Sequence, residues 1–212
     1  MRRPPSSSDR PAEHQQAGPT GAAYARRLQA LEHRWLARTF DIQRPYRRNI
    51  RRVTTGFVLD IGCGLGRHLR HVDGAGVGID IDAVAVATAR ARGLTAFTPD
   101  DFTASEYAQP ARFDSLLASH VLEHLPRAEG TALVQRYLPF LRPDGRVILI
   151  CPQEAGFRSD PSHVTFLDAR GLEEVASECG IAVLSVRSFP FPRVVGRVFP
   201  HNETVLVGHP RG

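Results

Sequence analysis

The sequence predicts an α/β fold built on a mostly parallel sheet, and three observations support this prediction. Short apolar strands alternate with helical segments between residues 57 and 151. The first strand leads directly into a glycine-rich turn and a helix, in the stretch Val58-Leu-Asp-Ile-Gly-Cys-Gly-Leu-Gly-Arg-His-Leu69. The second strand, Val77-Gly-Ile-Asp80, again ends in an acid. Strands that alternate with helices in this way form parallel sheets through right-handed crossovers.

The glycine-rich turn is the feature that most directly indicates a ligand. Gly62, Gly64 and Gly66 follow Asp60, the acid that ends the first strand. Glycines permit close approach of the backbone, and α/β sheets bind ligands outside the carboxyl ends of their strands. A nicotinamide fingerprint needs a third glycine where Arg67 stands, and a P-loop needs a lysine, which this chain lacks. Asp60 suits a ligand with a cationic end; the alternative is a tight turn that binds nothing.

Helix and strand signals place the remaining elements along the chain. Asp82 is suited to cap a helix from Ala83 to Arg92, and Asp168 to cap one that ends at Gly180. A third short strand precedes Thr98. The other predicted elements are a fourth strand at 113–119, a helix at 126–141, a fifth strand at 145–152, a long loop at 152–167 and a final strand pair at 181–187 and 204–207.

Length and composition limit the classes of protein that fit. A chain of 212 residues suits one domain with an appendage. Cys63, Cys151 and Cys179 form neither a disulfide framework nor a paired zinc motif, which indicates a reducing compartment. No stretch is apolar enough to span a membrane, and the N-terminus lacks the apolar core of a secretory signal. We therefore expect a cytoplasmic protein that does not associate with membranes.

The chain divides into three predicted parts. Residues 1–19 form a disordered tail, residues 20–54 a helical cap or lid, and residues 55–212 the main domain. In the cap, apolar residues recur at helical spacing, and Pro45 is suited to begin a second helix. The apolar positions are Tyr24, Leu28, Leu31 and Trp35, followed by Tyr46, Ile50 and Val53. The cap covers the substrate cleft or packs on the sheet, and the sequence leaves both open.

Positive charge is concentrated in the N-terminal quarter of the chain. Residues 1–52 contain 12 arginines and a balance of +8, whereas residues 53–212 have a balance of −3. A basic appendage fits contact with nucleic acid or an acidic substrate. It fits equally a solvated helix in a chain that uses arginine throughout in place of lysine.

Further pieces of sequence extend the glycine turn into a family pattern. They are Gly78-Ile-Asp80, Phe113-Asp114, His120-Val-Leu-Glu-His-Leu125 and Leu141-Arg-Pro-Asp-Gly145. In this order and spacing the chain resembles the class I S-adenosylmethionine-dependent methyltransferases over residues 57–209. The resemblance implies a Rossmann-like, doubly wound, seven-stranded sheet, mostly parallel with an antiparallel last strand, preceded by N-terminal helices. It also implies methyl transfer with S-adenosylmethionine as cofactor.

The resemblance implies which residues bind the methionine and ribose parts of the cofactor. Asp60 and the turn, with Gly62, Cys63 and Gly64, face the methionine end, where Cys63 serves as a small residue. Asp80 takes the two ribose hydroxyls. The alternative for Asp80 is a helix cap, a role for which Asp82 is better placed.

The adenine and the reacting methyl group have their own implied contacts. Ile81 lies against the adenine, and the pair Asp101 and Phe102 lies beside it, although Asp100 is an equally acidic neighbour. Ser119 and His120, at the end of the fourth strand, lie near the reacting methyl. We interpret Asp114 as structural, at the start of that strand.

Three histidines and one glutamate form a candidate metal site or catalytic group. His120, Glu123 and His124 follow the fourth strand, and His163 lies in the long loop. If Val121–Leu125 is helical, His120 and His124 share a face. Three imidazoles and a carboxylate suit zinc, iron, manganese or nickel. Without a metal, His120, His124 and His163 are candidates for the base or for substrate contacts.

The pattern of these histidines and the glutamate resembles sequence elements of two groups of methyltransferases. The plant small-RNA 2′-O-methyltransferases have a metal site of the form Glu-x-x-Glu-His with a later histidine, and ubiquinone-biosynthesis O-methyltransferases have a similar Glu-His element. This chain has His120 in place of the first glutamate, which disfavours magnesium because that ion prefers oxygen ligands. Metal-free relatives have a similar Leu-Glu-His-Leu.

The predicted function is methylation of a small-molecule acceptor at a hydroxyl, and the sequence leaves open whether a metal assists. One alternative is RNA methylation that uses the arginine-rich N-terminal region, and another is a non-catalytic cofactor-binding protein. The aromatic, proline-rich segment Phe189–Pro200 either forms a wall of the acceptor pocket or makes a homodimer contact. The sequence leaves this choice open.

Overall fold

The computed structural model describes residues 43–211, which fold around one seven-stranded sheet. The order of the strands is β3-β2-β1-β4-β5-β7-β6, and β7 runs antiparallel to both β5 and β6. This order and the antiparallel last strand confirm the predicted Rossmann-like fold. The strands are β1 (Val58–Ile61), β2 (Gly76–Ile79), β3 (Ala96–Phe97), β4 (Phe113–Ser119), β5 (Leu141–Pro152), β6 (Ile181–Phe189) and β7 (Glu203–Pro210).

Seven α-helices accompany the sheet within residues 43–211. The helix predicted from Pro126 ends at Tyr137 and continues as a 3₁₀ turn, Leu138–Phe140, because Pro139 lacks the amide that an α-helix needs. The long loop after β5 also contains a short helix. The helices are α1 (Gln43–Val53), α2 (Arg67–His71), α3 (Ala83–Ala91), α4 (Pro99–Thr103), α5 (Arg127–Tyr137), α6 (Glu154–Arg158) and α7 (Ala169–Glu178).

Two aspartates cap helices as the sequence predicts. Asp82 Oδ1 accepts a hydrogen bond from Val84 N at 2.8 Å at the start of α3. Asp168 Oδ1 accepts one from Gly171 N at 2.9 Å at the start of α7. Each cap satisfies an amide that the first helical turn leaves unpaired.

The centre of the sheet is buried on both faces. Leu59, Leu116 and Leu149, on three adjacent strands, are inaccessible to solvent. On the other face, α1 packs Ile50 and Val53 into a second cluster of buried residues. That cluster also contains Val58, Leu117, Ile148, Ile150, Val205 and Val207. Burial of these apolar strands fixes the carboxyl ends of β1, β2 and β4 along one edge, where the candidate site lies.

Helix α1 is the part of the predicted cap that the structure describes. Its first turn reaches the site edge, where Tyr46 Oη donates a hydrogen bond to the His201 carbonyl at 2.7 Å and the Tyr46 ring meets Phe189 edge to face. The predicted tail at residues 1–19 and the first helix of the cap lie outside the described residues. Between Gln43 and Arg211, none of the helices has the length and apolar character that crossing a membrane requires.

Candidate active site

The glycine turn is hydrogen-bonded to the end of β2. Gly62 N and Cys63 N donate to the Ile79 carbonyl at 2.8 and 3.0 Å, and Gly64 N donates to Asp80 Oδ2 at 2.7 Å. Gly62 has a φ of +71°, and a Cβ atom there would lie 2.8 Å from the side chain of Val121. Both the backbone conformation and the close approach therefore require glycine at this position.

Asp60 is a buried carboxylate without a protein partner. Its residue is inaccessible to solvent, and neither side-chain oxygen has a hydrogen-bond partner among the described residues. Burial raises the pKa of Asp60 to about 8, against the lowering effect of Arg67. An unpaired buried carboxylate is costly, so this arrangement fits a ligand that brings a cationic hydrogen-bond donor. The ammonium group at the methionine end of S-adenosylmethionine is such a donor.

Asp80 lies at the end of β2 with its carboxylate facing the turn. Its oxygens accept from Gly64 N and, at 2.9 Å, from Asp82 N. Burial raises its pKa, and these two backbone bonds oppose that rise. A carboxylate has about four acceptor sites, so acceptor capacity remains for ribose hydroxyls. The cap of α3 is Asp82 rather than Asp80, and the neighbouring Ile81 has an apolar side chain that is 88% exposed.

The residues predicted to contact the adenine and the reacting methyl group differ in their burial and in their partners. Ser119 is buried at the end of β4, and its hydroxyl has no partner among residues 43–211. Asp101 is exposed and lies 3.4 Å from Arg90, and Asp100 is also exposed. The Phe102 side chain packs in the core among Phe113, Tyr137 and Phe140. Phe102 therefore does not offer its ring to an adenine, because it lies on the inner face of α4.

The geometry corrects the prediction for His120 as a metal ligand or base. His120 Nδ1 lies 3.1 Å from Glu123 Oε1, and Nε2 lies 2.8 Å from Glu203 Oε1. Burial opposes the cation, but the two carboxylates outweigh burial and raise the pKa of His120 to about 10. A protonated imidazole that donates through both nitrogens has no lone pair for a metal or a proton. Residues Leu122–His124 form a 3₁₀ turn rather than an α-helix, so His120 and His124 do not share a face.

The structure brings together the other three predicted ligands. One ligand atom each from Glu123, His124 and His163 lies within 4.8 Å of the others, and the two imidazole centroids are 4.7 Å apart. His163 Nδ1 donates to the Phe157 carbonyl at 2.9 Å, and His124 Nδ1 to the Ser162 carbonyl at 3.3 Å. These bonds leave both Nε2 atoms as lone-pair donors, the arrangement that metal-binding histidines commonly have. Glu123 Oε2 is buried without a hydrogen-bond partner among the described residues.

Three further residues border this edge and were not predicted from the sequence. Arg67 lowers the pKa of Asp60 against the effect of burial, and burial followed by the charge of Glu203 raises the pKa of Tyr46. Arg67 occupies the position of the missing third glycine, a signal that was visible in the sequence. Glu203 begins an antiparallel strand, so it lies at the edge where the parallel strands end. Only the assembled sheet reveals that position.

Comparison with known families identifies the chain. A sequence model described as a methyltransferase domain matches residues 58–145, the segment that contains the glycine turn, Asp80 and Ser119. This segment is a methyltransferase domain, and the seven-stranded sheet that it belongs to has the fold of the class I S-adenosylmethionine-dependent methyltransferases. No curated protein matches its sequence. The unpaired Asp60, the open acceptor sites of Asp80 and the glycine turn fit S-adenosylmethionine as the cofactor of this methyltransferase.

Solved structures share the fold of the methyltransferase at low sequence identity. An S-adenosylmethionine-dependent methyltransferase of Thermotoga maritima aligns with a TM-score of 0.66 and 15% identity over 90% of this chain and 99% of its own. The magnesium protoporphyrin IX methyltransferase of Synechocystis PCC 6803, with bound SAH, aligns at 0.63 and 15% over 90% and 96%. A SAM-dependent methyltransferase of Archaeoglobus fulgidus aligns at 0.62 and 16% over 82% and 97%.

Proposed function

We propose that this methyltransferase transfers a methyl group to a hydroxyl of a small molecule, with assistance from a divalent metal. The observation that carries the proposal is the group of Glu123, His124 and His163, with its unpaired carboxylate oxygen and two available Nε2 atoms. The group begins four residues after Ser119, the predicted neighbour of the reacting methyl. A divalent metal held by these residues would lower the pKa of an acceptor hydroxyl.

The surroundings of this group favour an aromatic acceptor. Phe157 stacks on the His163 ring at 5.4 Å, and Phe166 meets Phe157 edge to face at 5.3 Å. Phe166 and Val164 are 39% and 61% exposed. Apolar walls beside a few polar groups are typical of small-molecule sites. Phenols and catechols combine a planar ring with the hydroxyl that the proposed chemistry needs.

The residues of the chain then have separate tasks. Asp60, Asp80 and the glycine turn hold the cofactor, which supplies a methyl group on a positively charged sulfur as an activated donor. Glu123, His124 and His163 would hold a divalent metal beside the acceptor oxygen. Transfer breaks the bond between sulfur and the methyl carbon, forms an oxygen–carbon bond and releases the hydroxyl proton to solvent, so catalysis rests mainly on in-line positioning.

RNA methylation is the alternative function that the sequence also suggests. One observation favours the RNA alternative: Arg44, Arg48 and Arg52 are exposed at i, i+4, i+8 spacing on α1 and form no ion pair within residues 43–211. RNA therefore stays as a second candidate acceptor, approached along α1.

Two predictions about the whole chain remain part of the proposal. We propose that residues 20–54 act as a lid, which the position of Tyr46 at the site edge supports. We also propose a cytoplasmic location, which the free thiols of Cys63, Cys151 and Cys179 support.

A methyl-transfer screen tests the proposed function. The full chain is incubated with radiolabelled S-adenosylmethionine and phenols, catechols such as 3,4-dihydroxybenzoate, sugars, amines or total RNA, with and without a chelator. We expect transfer to a hydroxylated small molecule that chelation abolishes and Zn²⁺ or Mn²⁺ restores. Transfer to RNA alone would overturn the choice of acceptor, and transfer that ignores both chelator and metal would remove the metal.

A further inference from the structure

We propose that Glu203 is a positioning residue that, through His120, holds Glu123 and the acceptor loop, which we define as residues 159–166. Two side-chain contacts connect the three residues, at 2.8 Å between Glu203 Oε1 and His120 Nε2 and at 3.1 Å between His120 Nδ1 and Glu123 Oε1. The connection joins β7 to the turn after β4 across 83 positions of sequence. The role of the loop at the acceptor rests on the proposed function, whereas the positioning itself is independent of it.

Glu203 is the fixed end of this connection. It pairs with Pro152 of β5 on one side and with Phe189 of β6 on the other, so its backbone is held within the sheet. The residue is only 9% exposed. A carboxylate mounted between two strands provides a rigid anchor for a group on a neighbouring loop.

His120 has a strained backbone conformation that its neighbours must stabilise. Its φ of +56° places a non-glycine residue in the left-handed region, immediately after β4. Strained conformations of this kind persist when the surrounding structure holds them, and they cluster at functional sites. Here the His120 amide donates to the Ile150 carbonyl at 2.9 Å, and the imidazole is held at both nitrogens.

Glu123 links His120 to the acceptor loop through its backbone carbonyl. Its side chain is inaccessible to solvent, and its backbone carbonyl accepts from Val164 N at 2.8 Å and from Thr165 N at 3.1 Å. Thr165 Oγ1 also donates to the Leu125 carbonyl at 2.6 Å. The loop that carries His163 and Phe166 is therefore attached to the same turn that His120 stabilises.

A carboxylate at position 203 is the group that this arrangement requires. His120 and Glu123 alone would leave one imidazole N–H without its acceptor at the edge of β7. An apolar residue at position 203 would lose the anchor, whereas glutamine would keep an acceptor oxygen without the charge.

Hydrogen exchange on the full chain tests this inference without knowledge of the acceptor or metal. The amides of Val164 and Thr165 are followed in wild type, Glu203→Ala, Glu203→Gln and the control Glu173→Ala, which alters an exposed residue of α7. Exchange at these two amides reports local opening of the acceptor loop. We therefore expect Glu203→Ala to speed exchange at both amides by about tenfold or more, and Glu203→Gln to cause a smaller increase. Exchange in β1 and β4, and the affinity for S-adenosylmethionine measured by calorimetry, should stay at wild-type values.

Wild-type exchange at Val164 and Thr165 in a folded Glu203→Ala variant would overturn the inference. If Glu203→Ala does not fold, Glu203→Gln decides alone, and unchanged exchange in that variant overturns it. A uniform rise across all strands would also contradict it, because that result indicates a general loss of stability. The hydrogen-exchange result does not depend on the small-molecule screen. The proposed function and the positioning role of Glu203 can therefore fail independently of each other.

Discussion

Gly64 donates its amide hydrogen to Asp80 Oδ2 at 2.7 Å, which fastens the glycine turn after β1 to the acid that ends β2. The two cofactor-binding elements are thus joined before any ligand arrives. Asp60, at the start of the same turn, has no such partner among the described residues. The free protein therefore presents one carboxylate that organises the turn and another that is buried unpaired. This difference leads to the first prediction.

Replacing Asp60 with asparagine should stabilise the free protein and remove cofactor binding. The folded-state pKa of about 8 lies above the unfolded value of 3.8, so the wild type binds a proton more tightly when folded. The contribution of Asp60 to the free energy of unfolding should therefore fall as pH rises from about 4 to about 8, by up to about 1.4 kcal/mol per pH unit. The Asp60→Asn variant lacks this titration, so the stability difference should widen across that window. Urea unfolding at several pH values measures it, with Asp144→Asn, an exposed change, as control; equal pH dependence of the two variants would contradict the prediction.

A methyl group added at position 62 should damage the site more than one added at position 93. Both glycines have positive φ, +71° and +79°, so alanine is strained at each by roughly 1–3 kcal/mol. Only Gly62→Ala also meets Val121, whereas Gly93 has no neighbouring atom within 4 Å. We expect Gly62→Ala to lose S-adenosylmethionine affinity and Gly93→Ala to keep it. Calorimetry on both folded variants decides the matter, and equal affinities would argue against contact between the turn and the cofactor.

The His163→Gln variant should lose metal and activity together. The imidazole Nε2 is the proposed ligand atom, and its removal should weaken metal affinity by at least roughly 10–100-fold, the range seen even for indirect partners of metal sites. Elemental analysis of protein purified without added metal or a histidine tag gives the stoichiometry. His209→Gln alters a histidine of β7 outside the group and should keep the metal. Wild-type protein that contains no metal and does not respond to added Zn²⁺ or Mn²⁺ would remove the site.

Buried neutral histidines should oppose the stabilising effect of Asp60 in mild acid. Burial, followed by the effect of nearby arginines, lowers the pKa of His71 to about 4, and burial also lowers that of His68. A depressed histidine pKa means that the unfolded chain takes up protons first, so the contribution of these histidines to the free energy of unfolding should fall as pH drops from about 6.5 to about 4. The His71→Leu variant lacks the His71 part of this loss, so its stability relative to wild type should rise as pH drops across this window. Thermal unfolding at pH 7, 6 and 5 tests this, and parallel losses in the two proteins would exclude His71 as a cause.

Sequence patterns predicted the features that depend on neighbouring residues. The glycine turn, the Asp82 cap and the seven-stranded sheet with its antiparallel last strand follow from local spacing and from the family resemblance. His120 was misinterpreted because its partner Glu203 lies 83 positions away, and nothing local in the sequence shows that β7 starts beside it. The inward orientation of the Phe102 ring could not be predicted for a similar reason, since only the packed core shows it.

Cofactor binding is the claim on which the rest depends, and calorimetric titration with S-adenosylmethionine tests it most directly. The titration compares wild type with Asp80→Ala, using Asp144→Asn as a control on an exposed carboxylate. We expect the wild type to bind, the control to match it, and Asp80→Ala to lose roughly 1–3 kcal/mol of binding free energy because the ribose hydroxyls and the Gly64 amide lose their acceptor. No heat of binding in the wild type, or unchanged affinity in a folded Asp80→Ala variant, would contradict the account.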